Sequence, residues 1–201
     1  MSYLEKKIQK LPWYVFILPY IINAISVYII TSRTSTNKCS ANPPHLYDII
    51  ASNTPDLNEY ANLIDYSLLL YFLPFLLNLN KKYILSLIQY HSILTLLRVI
   101  LYSSTILPPC KNENCDQYNS YQKYIFGFCN DKLFSGHISL ILILMYLIYK
   151  NKLVNNTVFK LMAGLTIFMS AFIIMARWHY TIDVLLAYII TGCLICFCPD
   201  L

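Results

Sequence analysis

Apolar residues in this chain gather into long stretches, with polar residues between them rather than alternating within them. A helix needs about 20 apolar residues to cross the ~30 Å hydrocarbon core of a bilayer. Six stretches approach that length: residues 12–31, 62–79, 83–107, 135–149, 157–176 and 180–198. They predict an all-α, polytopic membrane protein, a six-transmembrane-helix bundle forming one domain over 1–201. The fourth stretch is short for a span, and only the corner Arg177-Trp178-His179 separates the last two. The first follows Lys6, Lys7 and Lys10, but it is longer than the core of a signal peptide and no small-x-small cleavage site follows, so it reads as a span.

Composition supports this pattern. Hydrophobic residues make up 57% of the 201 and charged residues 12%, with a mean hydropathy of +0.51, well outside the range of a soluble domain. The lysines set the orientation. Lys6, Lys7 and Lys10, then Lys81 and Lys82, then Lys150 and Lys152 fall on one side if every stretch spans, and lysine-rich flanks stay in the cytoplasm. Both termini are therefore expected in the cytoplasm. The alternate loops, carrying Asp48, Asp56, Glu59, Glu113, Asp116 and Asp131, are expected outside. The net charge of +5 is then a membrane-flank feature drawn to anionic lipid headgroups, and nucleic acid is not an expected partner.

Of the seven cysteines, Cys39, Cys110, Cys115 and Cys129 fall in the exoplasmic loops, where three pairings are open to them. Cys193, Cys196 and Cys198 close the last span, as packing residues or as acylation sites. No metal site is expected, and neither a dinucleotide-binding glycine motif nor a phosphate-binding lysine loop occurs. The glycosylation pattern at Asn155-Asn156-Thr157 lies in an expected cytoplasmic loop and should stay unmodified.

The chemistry concentrates at two points. Ser135-Gly136-His137 opens the fourth stretch, and His179 stands just ahead of the sixth, with Asp183 four residues later. Ionisable groups at membrane depth are costly and mark functional sites. In the expected topology both stretches start at the exoplasmic surface, where helix N-termini attract phosphate. Ser135 suits a cap, and Gly136 lets a phosphate approach the backbone. Asp183 is one helical turn beyond His179 and can orient that ring for attack on phosphorus, while His137 supplies and removes the proton. Arg98, inside the third stretch, has the fork geometry to bind phosphoryl oxygens; its alternative is pairing with Asp65 or with a backbone carbonyl. Tyr180 and Tyr102 are candidates for cation–π contact with a quaternary ammonium. His45 and His91 lack such a setting.

The blocks Cys129-Asn130-Asp131-Lys132-Leu133-Phe134-Ser135-Gly136-His137 and His179-Tyr180-Thr181-Ile182-Asp183-Val184, with Ala187-Tyr188 and Thr191, resemble the two signature blocks of the sphingomyelin synthase family. That family is a branch of the lipid phosphatase/phosphotransferase superfamily. Arg98 through Thr105-x-Leu107-Pro108, and Pro43-Pro44 with Asp48, resemble two weaker blocks in the same order. The resemblance implies an exoplasmic or lumenal active site in a Golgi, plasma or other secretory membrane. It implies transfer of a phospho-headgroup from a phospholipid donor to ceramide, releasing diacylglycerol, without metal or organic cofactor. His137, His179 and Asp183 fall on the family's catalytic triad. Arg98, Ser135, Gly136, Asp131 and Tyr180 are the expected substrate-binding residues. Asn130 stands where the family has glycine, and Arg177-Trp178 also departs from its pattern, which bears on headgroup choice more than on the triad.

Phosphocholine transfer, giving sphingomyelin, is the favoured reading; phosphoethanolamine and phosphoinositol transfer are its close alternatives. A lipid phosphate phosphatase would pass the phosphoryl group to water, but its Lys–Arg block is missing and Arg177 is only two residues before His179. A phospholipase C-like hydrolase would replace ceramide by water in the second step. A non-enzymatic lipid binder or transporter is disfavoured by four glycines in all and no matched halves. Association of identical chains stays open.

Overall fold

The computed structural model describes residues 11–36, 46–78, 80–105 and 132–201. All the regular structure among them is helical. A 3-10 turn over Trp13–Ile17 leads into α1 (Leu18–Thr36). The short α2 (Ile49–Ser52) is followed by α3 (Asn62–Leu77) and α4 (Lys81–Ser104). The C-terminal half is a run of α5 (Gly136–Lys150), α6 (Asn156–Met175) and α7 (Thr181–Phe197). Polar side chains fix several starts by accepting from a backbone N–H of the first turn: Asn80 from Lys82 at 2.9 Å, Ser135 from Ile138 at 3.4 Å and Asn155 from Val158 at 2.9 Å. Asn80 is why α4 begins at Lys81 rather than at 83, where apolarity alone would start it.

Each of the six apolar stretches contains a helix, but their lengths differ from a uniform set of spans. α4 and α6 are long and apolar enough to cross a membrane, by length and composition. The other four apolar helical segments, Tyr14–Ile29, Asn62–Leu77, Gly136–Lys150 and Thr181–Phe197, run to between 10 and 17 residues. At 1.5 Å per residue the 15 residues of α5 reach only about 22 Å, in keeping with a fourth stretch that is short for a span.

Packing explains the short helix. α5 lies at the centre, touching α3, α4, α6 and α7, while α1 packs on α4. Ile138, Ile141, Ile143, Leu144, Leu147 and Ile148 of α5 are each almost wholly buried, as in a helix that is apolar all round. The surrounding helices bury one face and leave the other apolar and exposed: Leu69, Leu73 and Leu76 on α3, Leu161 and Ile167 on α6, Leu185 and Ile189 on α7. Apolar faces of that extent are the kind a bilayer covers.

The two histidine blocks meet where the central helix starts. The segment 132–135 enters α5 alongside the corner between α6 and α7, with Ser135 N–H donating to the Asp183 carbonyl at 3.2 Å.

Candidate active site

Asp183 is the hub of the site. It is the third residue of α7, where a carboxylate can reach back to the N-cap backbone and also meets the positive end of the helix. Its Oδ2 accepts from the Tyr180 N–H at 3.0 Å and from His179 Nδ1 at 3.1 Å. Its Oδ1 accepts from the Leu133 N–H at 2.9 Å, which ties the segment before α5 to the start of α7. The Asp183 side chain is 0% exposed and that of His179 8%. A fully buried carboxylate persists only with such a complete set of donors.

The carboxylate fixes the tautomer of His179. Nδ1 carries the proton and donates it to Asp183, leaving the lone pair on Nε2. Burial pushes the pKa of the ring down to about 4, against the opposing pull of Asp183, and the charges of Lys132 and His137 push in the same direction as burial. His179 is therefore neutral around pH 7, a state in which an imidazole nitrogen can act as a nucleophile.

His137 is the second residue of α5, and its surroundings are more open. Nε2 lies 3.0 Å from Asp65 Oδ1, with side-chain exposures of 20% for the histidine and 58% for the aspartate. The Trp178 ring tilts over His137 at a centroid distance of 5.4 Å. Trp178 is thereby the bridge between the blocks: its ring faces His137, and its carbonyl accepts from Lys132 Nζ at 2.6 Å.

Asp65 therefore pairs with His137, not with Arg98 as the ion-pair alternative had it. Arg98 lies against the start of α5. A Cβ added to Gly136 would stand 2.8 Å from Arg98 Nη1, so the space left by the missing side chain holds the guanidinium. Gly136 thus makes room for Arg98, where the sequence suggested room for phosphate. The result is a permanent cation beside the helix N-terminus that carries His137.

The segment over residues 46–61, ahead of α3, packs against the α6–α7 corner. Asp48 caps α2 through the Ala51 N–H at 3.0 Å and also reaches α7, accepting from the Thr181 hydroxyl at 2.8 Å and from the Thr181 N–H. Burial raises the pKa of Asp48, but hydrogen bonds from Ala51, Thr181 and Ile50 outweigh it and hold the carboxyl below its usual value. Backbone strain sits at both flanks: Leu133 has φ 85 and Arg177 φ 59, conformations rare for residues with a side chain.

His137, His179, Asp183, Arg98, Ser135, Gly136 and Tyr180 all gather around the starts of α5 and α7. Ser135 is buried and serves as the α5 cap, and Tyr180 is buried as the first residue before α7, so neither offers an open face. Tyr102 is buried between α4 and α1 with its hydroxyl 3.1 Å from Asn23 Oδ1. Asp131 and the four loop cysteines Cys39, Cys110, Cys115 and Cys129 lie outside the described residues. Cys193 and Cys196 are exposed free thiols, while Cys198 is buried. Asp65, Lys132 and Arg177 received no site role from sequence reasoning. For Asp65 a signal was present, a carboxylate in the first turn of an apolar helix.

Residues 128–199 match the family model for the PAP2 superfamily C-terminal region. The match covers both histidine blocks and points to lipid phosphatase or phosphotransferase chemistry. Asp48, Asp65 and Arg98 come from outside it. No individual curated protein and no solved structure matches the chain.

Proposed function

We propose that this chain is a phosphotransferase of the sphingomyelin synthase type, moving phosphocholine from phosphatidylcholine to ceramide through a phosphohistidine. The observation that carries this reading is the buried His179–Asp183 pair, whose hydrogen bond leaves Nε2 as the free, neutral nitrogen. In the first half-reaction Nε2 attacks phosphorus and the bond to the diacylglycerol oxygen breaks. Protonated His137 gives its proton to that oxygen, so diacylglycerol leaves neutral. Asp183 stabilises the positive charge that grows on the His179 ring. In the second half-reaction His137 takes the proton of ceramide's primary hydroxyl, the oxygen attacks phosphorus, and the phosphorus–nitrogen bond breaks. Both rings return to their starting states. These steps use no metal and no organic cofactor.

The remaining residues fit supporting roles. Arg98, beside Gly136, holds the phosphoryl oxygens where charge develops. Asp65 orients His137 by accepting a hydrogen bond from Nε2–H, which assigns proton transfer to Nδ1. Trp178 offers a π-face next to His137 for a trimethylammonium group, which favours choline among the headgroups. In this reading the six apolar helices form a bundle across a secretory-pathway membrane, with both termini cytoplasmic and the histidines at the exoplasmic or lumenal surface. The exposed apolar faces and the lysines at Lys81, Lys82, Lys150 and Lys152 support that placement.

The test is product analysis with headgroup-labelled phosphatidylcholine and purified protein, with and without ceramide. Labelled sphingomyelin appearing only when ceramide is present is the expected result. Free phosphocholine in equal amounts under both conditions would make the enzyme a hydrolase. Mixed choline, ethanolamine and inositol donors in one reaction, resolved by mass spectrometry, test the headgroup.

A further inference from the structure

The corner that carries His179 is gripped from outside the matched region at three places. Leu57 N–H donates to the Met175 carbonyl at 3.0 Å, Arg177 Nη2 donates to the Thr54 carbonyl at 2.9 Å, and Asp48 accepts from both the hydroxyl and the N–H of Thr181. Arg177 Nε also lies 4.0 Å from Asp56 Oδ2. Met175 ends α6, Arg177 is within the corner and Thr181 begins α7, so these contacts bracket His179 in the chain on both sides.

The corner needs such support. Arg177 holds φ 59 without being glycine or asparagine, a strained backbone state that persists only where surrounding contacts impose it. Asp183 restrains His179 through one ring nitrogen, which sets the tautomer and one axis of the ring. The direction of Nε2 also depends on where the backbone of residues 177 to 181 sits, and that backbone is held by the loop between α1 and α3. Lys132 and Asp183 hold the Trp178 carbonyl and the Tyr180 N–H from within the matched region, and the ties from outside it come from Asp48, Thr54, Asp56 and Leu57, about 120 residues or more earlier in the chain.

We propose that Asp48 and Arg177 are positioning residues for phosphotransfer: the first polar loop clamps the α6–α7 corner so that His179 Nε2 stays in line with the phosphorus under attack. This rests on the reading of His179 as the nucleophile. In-line attack tolerates little displacement, and a shift of about 1 Å costs on the order of a hundredfold in rate.

Rapid-quench single-turnover measurements test it, using phosphatidylcholine with radioactive phosphorus and no acceptor lipid. The amplitude of protein labelling counts competent sites, and its rate measures the attack. Asp48→Ala and Arg177→Ala are expected to slow labelling by about tenfold to a hundredfold, with near wild-type amplitude and a donor KM within about twofold of wild type. Asp48→Asn, which keeps one acceptor for Thr181, is expected to recover part of the rate. A lower amplitude with an unchanged rate would show a merely structural role and overturn the proposal. Should the alanine variants fail to fold, Thr181→Val removes a single clamp bond; its labelling is expected to be about threefold slower, and wild-type speed would equally overturn the clamp. Wild-type protein that never becomes labelled removes the nucleophile reading and the clamp together, whereas labelled wild type with variants of equal rate removes the clamp alone.

Discussion

The two histidines each face an aspartate at about the same distance, yet the pairs are built differently. His179 and Asp183 are 3.1 Å apart, four residues apart on one helix start, and both are buried. His137 and Asp65 are 3.0 Å apart but 72 residues apart in sequence, and Asp65 is more than half exposed. A buried pair holds one tautomer, and its low dielectric surroundings keep the ring uncharged. An open pair leaves room beside the ring for solvent or for an incoming hydroxyl group. In the proposed reaction, burial and exposure would sort two chemically similar pairs into a nucleophile and a proton carrier, as where environments separate the roles of like residues.

The largest expected effect comes from breaking the buried pair. Asp183→Asn turns an acceptor of three donors into a side chain whose amide nitrogen must face one of them. It is expected to lower kcat by about a thousandfold through the wrong His179 tautomer, and to cost on the order of 1–3 kcal/mol of stability; steady-state kinetics and thermal melts in detergent measure both. His137→Ala sharpens the contrast: labelling of His179 by the phosphate should still occur but slow by about a hundredfold or more, whereas His179→Ala should give no label at all. If the His179→Ala protein is labelled, the assignment of the nucleophile is wrong.

Gly136→Ala comes next. The added methyl group at 2.8 Å must displace the Arg98 guanidinium, so kcat should fall by about tenfold to a hundredfold while overpacking costs about 1–3 kcal/mol. Unchanged kinetics in that variant would detach Arg98 from catalysis. Asp65→Asn leaves an acceptor oxygen beside His137 but removes the charge, and the expected loss is smaller, about tenfold in kcat. A loss as large as that of Asp183→Asn would mean that the open pair is as constrained as the buried one.

The smallest effect is on acid stability. His179 and Asp48 both bind protons less readily in the folded chain than in the unfolded one. Their stabilisation is complete above the unfolded values and is lost as pH falls through the folded ones. For His179 the window runs from 6.5 down to about 4, so the melting temperature should decline across it and decline less in His179→Gln. For Asp48 the loss follows below the ordinary value of 3.8, and Asp48→Asn should flatten that lower part.

Much of the site is visible in the chain because it is local. Asp183 lies one helical turn from His179, and Ser135-Gly136-His137 announces a capped helix start; short-range spacing of this kind survives whatever the rest of the chain does. What Asp65 and Asp48 hold was hidden for the opposite reason. Their partners are His137 and Thr181, reached only when α3 packs on α5 and when the first loop folds over the α6–α7 corner. Gly136 was legible as a place of close approach, but its neighbour proved to be Arg98 from another helix.

Apolar run length and the local spacing of polar residues determined, from the sequence alone, a helical chain with six apolar segments and two histidines poised at helix starts. Those properties follow from hydrophobicity and backbone hydrogen bonding within single segments. Only the tertiary structure decided which helix is central, which lengths are curtailed, and which carboxylate serves which imidazole. Such choices depend on side chains converging from distant segments, where packing at the centre rather than local periodicity selects the partner.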